Sequence, residues 1–383
     1  MRVCAVTGSR ADYGLLRPVM AAIRANPRLE LQVAVTGAHL AAAYGSTVAS
    51  VRADGFSIDA EIPLDLQGDD AASITRALGS AVSGFAGALQ SLAPDLLLVL
   101  GDRYEILGAV QAALIATIPV AHIAGGDVTE GAFDDAIRHA ITKMAHLHLC
   151  TNERSAARVR QLGEADDRVF VTGSPGVDAV LNTPRLSRHE LEQRLGLRLR
   201  ERNLAITFHP ATLEDGDGVE QAQELLAALH ALGEDVGLVF GGTNADPQGK
   251  AINHVVAEFV SRHDHAVLHP SLGQTGYFSL LAQVDAVVGN SSSGLYEAPS
   301  FATPTVNIGD RQTGRIKATS VIDCAPRREA ITDALARAFA LDCSEVSNPY
   351  GDGNAVQRIV EVLDRGWGRS DLLHKGFIDR AVP

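Results

Sequence analysis

The chain is 383 residues long, with 46% hydrophobic and 21% charged residues and a formal net charge of -13 at pH 7. That length exceeds what one hydrophobic core ordinarily organises and predicts two domains. The acidic balance argues against general binding of nucleic acid or of anionic membrane, so residues that hold an anion must form a local pocket.

In chain order, RVCAVTG, LQVAVTG, DLLLVLGD and IPVAHIAGG read as buried strands, each ending in glycine or a polar group. Helical segments fall at 15–25, 71–92, 106–116, 134–145 and 153–162, followed by a strand RVFVTG. The opening MRVCAVTGSRADYG enters a strand at once and carries Asp12, unlike a signal peptide, so a cytoplasmic location is expected. Residues 106–126 carry no formal charge and are long enough to span a bilayer. They contain Gln111, Pro119, His122, Gly125 and Gly126, and read instead as a buried helix, a short strand and a loop.

A turn signal and a charged stretch at 182–188 mark a linker, after which LAITFHP, VGLVFGGTN, HAVLHP, VDAVVGNSSSG and PTVNIGD read as strands. Helices are expected between them, at 219–232 and 249–262 among others, and again at 356–363. The expected domains are 1–182 and 183–365, with a C-terminal segment 366–383 that packs back on the first. The fold class is α/β: two Rossmann-like doubly wound domains facing a cleft, of GT-B type. Fold alone does not settle chemistry, so the strand-end residues must.

In the second domain, GNSSSGLYEAPS at 289–300 follows an apolar strand and leads into a helix. Hydroxyls and free backbone N–H groups at such a start suit a pyrophosphate, which makes Asn290, Ser291, Ser292 and Ser293 candidates beyond simple capping. Glu297, one turn on, would repel phosphate and fits better as acceptor for the two ribose hydroxyls. Arg311, after the next strand, offers a planar, permanently charged donor to phosphate. His209, in TFHP at the end of the domain's first strand, is a candidate ligand contact and catalytic residue, with Asn244 of VGLVFGGTN as a further binding candidate.

In the first domain, TGSRADYG supplies Arg10 and Asp12 as binding candidates, Arg10 to neutralise a leaving phosphate, and lacks the G-x-G-x-x-G of a dinucleotide site. Acid and base candidates gather in GDRYE and in HIAGGDVTEGAFDDAIRH: Asp102, Asp127, Glu130, Asp134 and Asp135, with Arg103 and Arg138 beside them. Crowded carboxylates have raised and split pKa values, as proton abstraction next to a weakly acidic carbon requires. Asp134 or Asp135 also fits as cap of the helix that follows, with Arg138 placed to tether one of them or to reach a phosphate. Cys4, Cys150, Cys324 and Cys343 form no C-x-x-C pair, and no His/Glu spacing resembles a zinc site, so neither metal nor cofactor is expected.

In order along nearly the whole chain, TGSRADYGLL, TGAHL, GDRYE, HIAGGDVTEGAFDDAIRHAITKMAHLHL, GSPGVD, ITFHP, GNSSSGLYEAPS and NIGDRQTGRI resemble the hydrolysing UDP-GlcNAc 2-epimerases, the bacterial group that serves sialic and legionaminic acid synthesis. The resemblance implies anti elimination of UDP to a 2-acetamidoglucal, then addition of water to give the free sugar inverted at C2. It implies catalytic roles for Asp102 and Asp134, UDP contacts for Arg10, His209, Ser291, Ser292, Glu297 and Arg311, and positions near the sugar and the uracil for His39 and Tyr277. In several relatives a catalytic Glu stands where this chain has Ala124, and Asp127 or Glu130 is the candidate replacement. The expected partners are a UDP-linked amino sugar, UDP and a second copy of the chain in a homo-oligomer, without nucleic acid or membrane. A non-hydrolysing epimerase, a GT-B glycosyltransferase and a non-catalytic nucleotide-sugar sensor are the competing readings.

Overall fold

A computed structural model describes residues 1–41, 47–66, 70–129, 133–209, 218–242 and 249–380. Glu130 and Asn244 lie outside the described residues. Contacts divide the chain into two units, Met1–Ala179 with Tyr350–Pro383, and Val180–Pro349.

The first unit is built on β1 (Arg2–Thr7), β2 (Glu30–Thr36), β3 (Ala60–Ile62), β4 (Leu96–Leu100), β5 (Val120–Ile123), β6 (Leu147–Cys150) and β7 (Val169–Val171). They pair in the order β3-β2-β1-β4-β5-β6-β7 with every pairing parallel. Parallel strands are covered on both faces, which is why β4 reads as the unbroken run LLLVL. Its side chains alternate between two cores: Leu96, Leu98 and Leu100 join Leu16, Met20 and Ile359, whereas Leu97 and Val99 join Phe85, Ile106 and Val110. Strand order reverses between β1 and β4, and the crevice beyond the carboxyl ends of strands at such a reversal is where open α/β sheets bind ligands.

The second unit repeats the plan with β8 (Arg202–Thr207), β9 (Val236–Gly241), β10 (Ala266–His269), β11 (Ala286–Gly289), β12 (Thr305–Ile308) and β13 (Val321–Cys324). Their order is β10-β9-β8-β11-β12-β13, again all parallel, with the reversal between β8 and β11. Two doubly wound α/β sheets are thus present, as the apolar pattern predicts.

Elements differ from expectation at identifiable places. The first helix runs Arg10–Ala25 instead of beginning at 15, because Ser9 and Asp12 form a capping box at its start. The charge-free run divides into the helix Tyr104–Ile115 and β5, and among the described residues no helix is long and apolar enough to cross a membrane. Strands β3, β6 and β13 do not stand out in the apolar pattern, and β6, LHLC, carries the buried His148 within it. The last helices, Ala355–Leu363 and Arg369–Leu373, belong to the first unit. Asp178 accepts hydrogen bonds from the Ala355 and Val356 amides at 3.0 and 2.9 Å, capping the first of them.

Candidate active site

At the carboxyl edge of the first sheet, the turn after β4 and the helix Phe133–Met144 meet around Arg138. This buried guanidinium pairs with Asp102, donates to Asp135 Oδ1 at 3.2 Å and Thr129 Oγ1 at 2.9 Å, and reaches the Asp127 carbonyl at 2.9 Å. Asp135 Oδ1 also accepts the Thr129 amide at 2.7 Å, so it ties the loop to the helix. His122, at the end of β5, holds the other side. Its Nε2 lies 2.7 Å from the Gly101 carbonyl and its Nδ1 3.2 Å from Thr142 Oγ1. Burial pushes His122 down to about 3, so it is a neutral strut between Asp102's turn and Arg138's helix.

Asp134 sits on the first turn of the same helix, half-buried, and burial pushes its carboxyl above the ordinary value while the Arg103 guanidinium opposes the shift. A carboxyl that retains its proton above the ordinary range is the form a general acid requires. Asp127 is engaged differently. Its Oδ1 accepts Thr151 Oγ1 and Ser155 Oγ, both at 2.6 Å, which fastens the loop to the helix Glu153–Gln161.

Around the end of β1, Asp12 faces inward. It accepts from the amides of Gly8, Ser9 and Tyr13 at 2.7–2.8 Å and from the hydroxyls of Thr7 and Ser9 at 3.1 and 3.0 Å, so its carboxylate shapes the turn. His39 is also fully buried, with its ring nitrogens 3.0 Å from Thr7 Oγ1 and 2.8 Å from Thr47 Oγ1, and burial lowers its pKa. Both read from sequence as substrate contacts; their geometry makes them supports of the β1 and β2 ends. Arg10 is exposed at the start of its helix. Arg103 donates to Glu105 at 3.1 Å, and Glu105, 1% exposed, packs against Gly8, where an added Cβ would stand 2.8 Å from Oε1. Glu105 and His122 were not singled out from the sequence as site residues, although an acid in an otherwise apolar helix and a histidine ending an apolar strand are the signals.

In the second unit, Gly289 ends β11 with φ 129°, and an added Cβ would stand 1.9 Å from the Thr207 carbonyl oxygen, so only glycine lets the chain pass the end of β8. Asn290 then bridges the two strand ends: its Oδ1 accepts the His209 amide at 2.7 Å and its Nδ2 donates to the His209 carbonyl at 2.8 Å. The Asn290 carbonyl accepts from Arg311 at 3.1 Å and from Gln312 at 2.8 Å. Asn290 therefore positions His209 and Arg311, its own amide being occupied.

The serine run leads into a four-residue helix, Ser293–Tyr296, and then a 3-10 turn, Ala298–Phe301, because Pro299 interrupts the helical amides. The helix expected there is present but spans only Ser293–Tyr296. Ser292 accepts backbone bonds from Leu295 and Tyr296 and starts this turn, while the Ser293 amide lies 3.4 Å from Ser291 Oγ. Tyr277 OH is 2.6 Å from Ser293 Oγ, which also hydrogen-bonds Glu297. Burial raises the Glu297 carboxyl, and its Oε2 has no protein partner in the described structure. A buried acceptor with one open oxygen suits a ligand hydroxyl. Among the described residues no cluster of His, Cys, Asp or Glu is placed to hold a metal ion.

Residues 21–364 match the family model described as UDP-N-acetylglucosamine 2-epimerase. The chain is 36% identical over 381 residues to the GDP/UDP-N,N'-diacetylbacillosamine 2-epimerase (hydrolyzing) of Campylobacter jejuni, covering 99% of each. It is 35% identical over 374 residues to the UDP-N,N'-diacetylbacillosamine 2-epimerase (hydrolyzing) of Legionella pneumophila, covering 98% of each. In fold it is similar to the UDP-GlcNAc 2-epimerase of Neisseria meningitidis solved with UDP-GlcNAc, with TM-score 0.75 and 20% identity over 95% of this chain and 99% of that one. The matched span and the 35–36% identity along nearly the whole chain make this chain a member of the UDP-N-acetylglucosamine 2-epimerase family.

Proposed function

We propose that the protein is a hydrolysing 2-epimerase of a UDP-linked 2-acetamido sugar, and that a 2,4-diacetamido-2,4,6-trideoxy sugar is its better substrate. The observation that carries this reading is identity of 35–36% along almost the whole chain to two hydrolysing diacetylbacillosamine 2-epimerases. In the reaction a base removes the C2 proton, the C1–O bond to UDP breaks, and a C1=C2 glycal remains. Water then adds its hydroxyl at C1 and a proton enters C2 from the opposite face, giving the free epimer.

The strand-end groups support a division of labour. Asp102, oriented by Arg138, is the proposed base of the elimination, and Asp134, with its raised carboxyl, serves the hydration. Glu297 with the Tyr277–Ser293 pair is the proposed ribose site, and His209, Ser291, Ser292 and Arg311 the pyrophosphate site. Arg10 completes the phosphate contacts, and Asp127 is a loop anchor in place of a third acid. We further propose a cytoplasmic location and a homo-oligomer, the latter supported by the exposed apolar side chains Leu114 and Ile115 at one helix end.

The test is proton NMR in D2O with UDP-GlcNAc and with the UDP-linked diacetamido sugar. Free epimer deuterated at C2, together with UDP, is expected, and faster with the diacetamido sugar. An epimer still joined to UDP, transfer only when an acceptor is added, or no turnover of either sugar would each sink the reading.

A further inference from the structure

Three successive helices of the first unit carry the proposed chemistry near their N-terminal ends. Asp102 and Arg103 precede Tyr104–Ile115, Asp134 and Arg138 lie on Phe133–Met144, and Ser155 of Glu153–Gln161 anchors Asp127. At the opposite ends of the same three helices the C-terminal segment supplies one basic side chain to each. Arg369 donates to the Thr117 carbonyl at 2.9 and 3.1 Å and to the Ala116 carbonyl at 3.4 Å. Lys375 Nζ donates to the carbonyls of Lys143 and Ala145 at 2.7 and 2.5 Å. Arg380 donates to the carbonyls of Arg160 and Glu164 at 3.0 and 3.1 Å, and the Ile378 amide to that of Gly163 at 2.9 Å.

Lys143 and Arg160 lie in the last turns of their helices and Ala116 and Ala145 directly follow theirs, near the negative ends of the helix dipoles, while Thr117, Gly163 and Glu164 belong to the turns just beyond. The segment is also keyed to the surface it crosses. Glu164, 2% exposed in its side chain, receives Lys143 at 2.7 Å, His148 at 2.9 Å and Lys375 at 2.8 Å. The Phe377 ring occupies the space over Gly163, where an added Cβ would lie 2.5 Å from it, and Lys143 Nζ stands 4.7 Å from the ring centroid. Leu372, 1% exposed, joins the core of the first unit, whereas Phe377 and Ile378 stay 64% and 40% exposed, so beyond Leu372 the segment's contacts chiefly fix where the helix ends lie.

We propose that residues 369–380 form a strap that sets the positions of these three helices, making Arg369, Lys375 and Arg380 positioning residues for the proton transfers; the proposal rests on the epimerase reading above. A 12-residue helix is about 18 Å long, so a tilt released at its C-terminal end reappears at its N-terminal residues. Displacement of a reacting group by about 1 Å costs on the order of 100-fold in rate. Nucleotide binding, assigned to the second unit and to Arg10 on a different helix, is not expected to follow.

The test compares wild type, the triple variant Arg369→Met, Lys375→Met, Arg380→Met, the single Lys375→Met and Lys375→Arg variants, and a chain ending at Gly368. In the triple variant kcat should fall about tenfold or more with KM and calorimetric UDP affinity unchanged. Lys375→Arg should retain more kcat than Lys375→Met, and a synthetic 369–383 peptide should restore the shortened chain in trans. A folded triple variant with wild-type kcat overturns the strap, and it decides the matter if the shortened chain does not fold. If wild type turns over neither sugar, the epimerase reading fails on its own. The strap is then judged by hydrogen exchange in Phe133–Met144, where unchanged protection at the first turn in the triple variant overturns it.

Discussion

At the carboxyl edge of the first sheet the polar groups are charged and gathered on one guanidinium, with Asp102 and Asp135 both reaching Arg138. At the same edge of the second sheet they are hydroxyls, two amides, a histidine, an arginine and one buried acid, with Asn290 as the hub. Topology is shared, so the difference lies in side chains alone. A charged network in which one carboxyl, Asp134, is raised can move protons, whereas neutral donors around a fixed arginine can hold an anion without taking part in acid–base chemistry.

The largest effect that would break this contrast is expected in the first unit. Asp102→Asn keeps the size and hydrogen bonding of the side chain but removes the base, so turnover should fall about 100-fold or more while calorimetric UDP affinity stays as in wild type. Equal loss of affinity would place Asp102 in nucleotide binding and erase the division between the units. In the second unit the reverse is expected of Arg311→Lys. A point ammonium cannot reproduce a planar fork, and UDP binding should weaken by roughly 1.5–3 kcal/mol. Undiminished UDP affinity in calorimetry would remove Arg311 from the site.

A smaller effect would sharpen the comparison on the proton-transfer side. His122→Asn loosens the link between the Gly101 carbonyl and Thr142, so turnover should fall about tenfold. His122 is held down at about 3 and stays neutral above that value, so the shape of the pH–rate profile between pH 5 and 9 should not change. Loss of an acidic limb from that profile in the variant would make His122 a titrating participant instead of a strut.

Much of this was legible because strand ends announce themselves: VTG, LGD, HIAGG, FHP and VVGNSSSG each place polar residues after an apolar run. What was not legible is pairing across distance. Asn290 meets His209 because β8 and β11 are neighbours, although the residues are 81 positions apart. Arg138 reaches Asp102 across 36 positions, where sequence spacing alone pointed to a phosphate or to its helical neighbours Asp134 and Asp135. Asp12 and His39 read as ligand contacts because they sit in polar strand-end motifs, and in the structure the capping box and the neighbouring ends of β1 and β2 turn them inward upon Thr7. The strand LHLC was missed since a buried His148 breaks its apolar run, and the Glu164 carboxylate that accommodates it lies 16 residues on.

The smallest expected effect concerns the one acid of the second site. Burial raises the Glu297 carboxyl, with Ser293 and Arg315 opposing. Its folded value therefore lies above its unfolded value. As pH rises through the ordinary glutamate range, the unfolded chain gives up this proton before the folded chain does, so stability falls across that window and stays lower above the folded value. Glu297→Gln removes the slope. The variant should match wild type in thermal stability at the acid side of the window and exceed it at pH 8. It should also bind UDP more weakly, since an amide supplies one acceptor where the two ribose hydroxyls call for two. Thermal unfolding at several pH values, read beside UDP calorimetry, checks both halves. A variant less stable than wild type at pH 8 would mean that Glu297 is held by protein partners in the folded unit, and the open oxygen assigned to the ribose would already be in use.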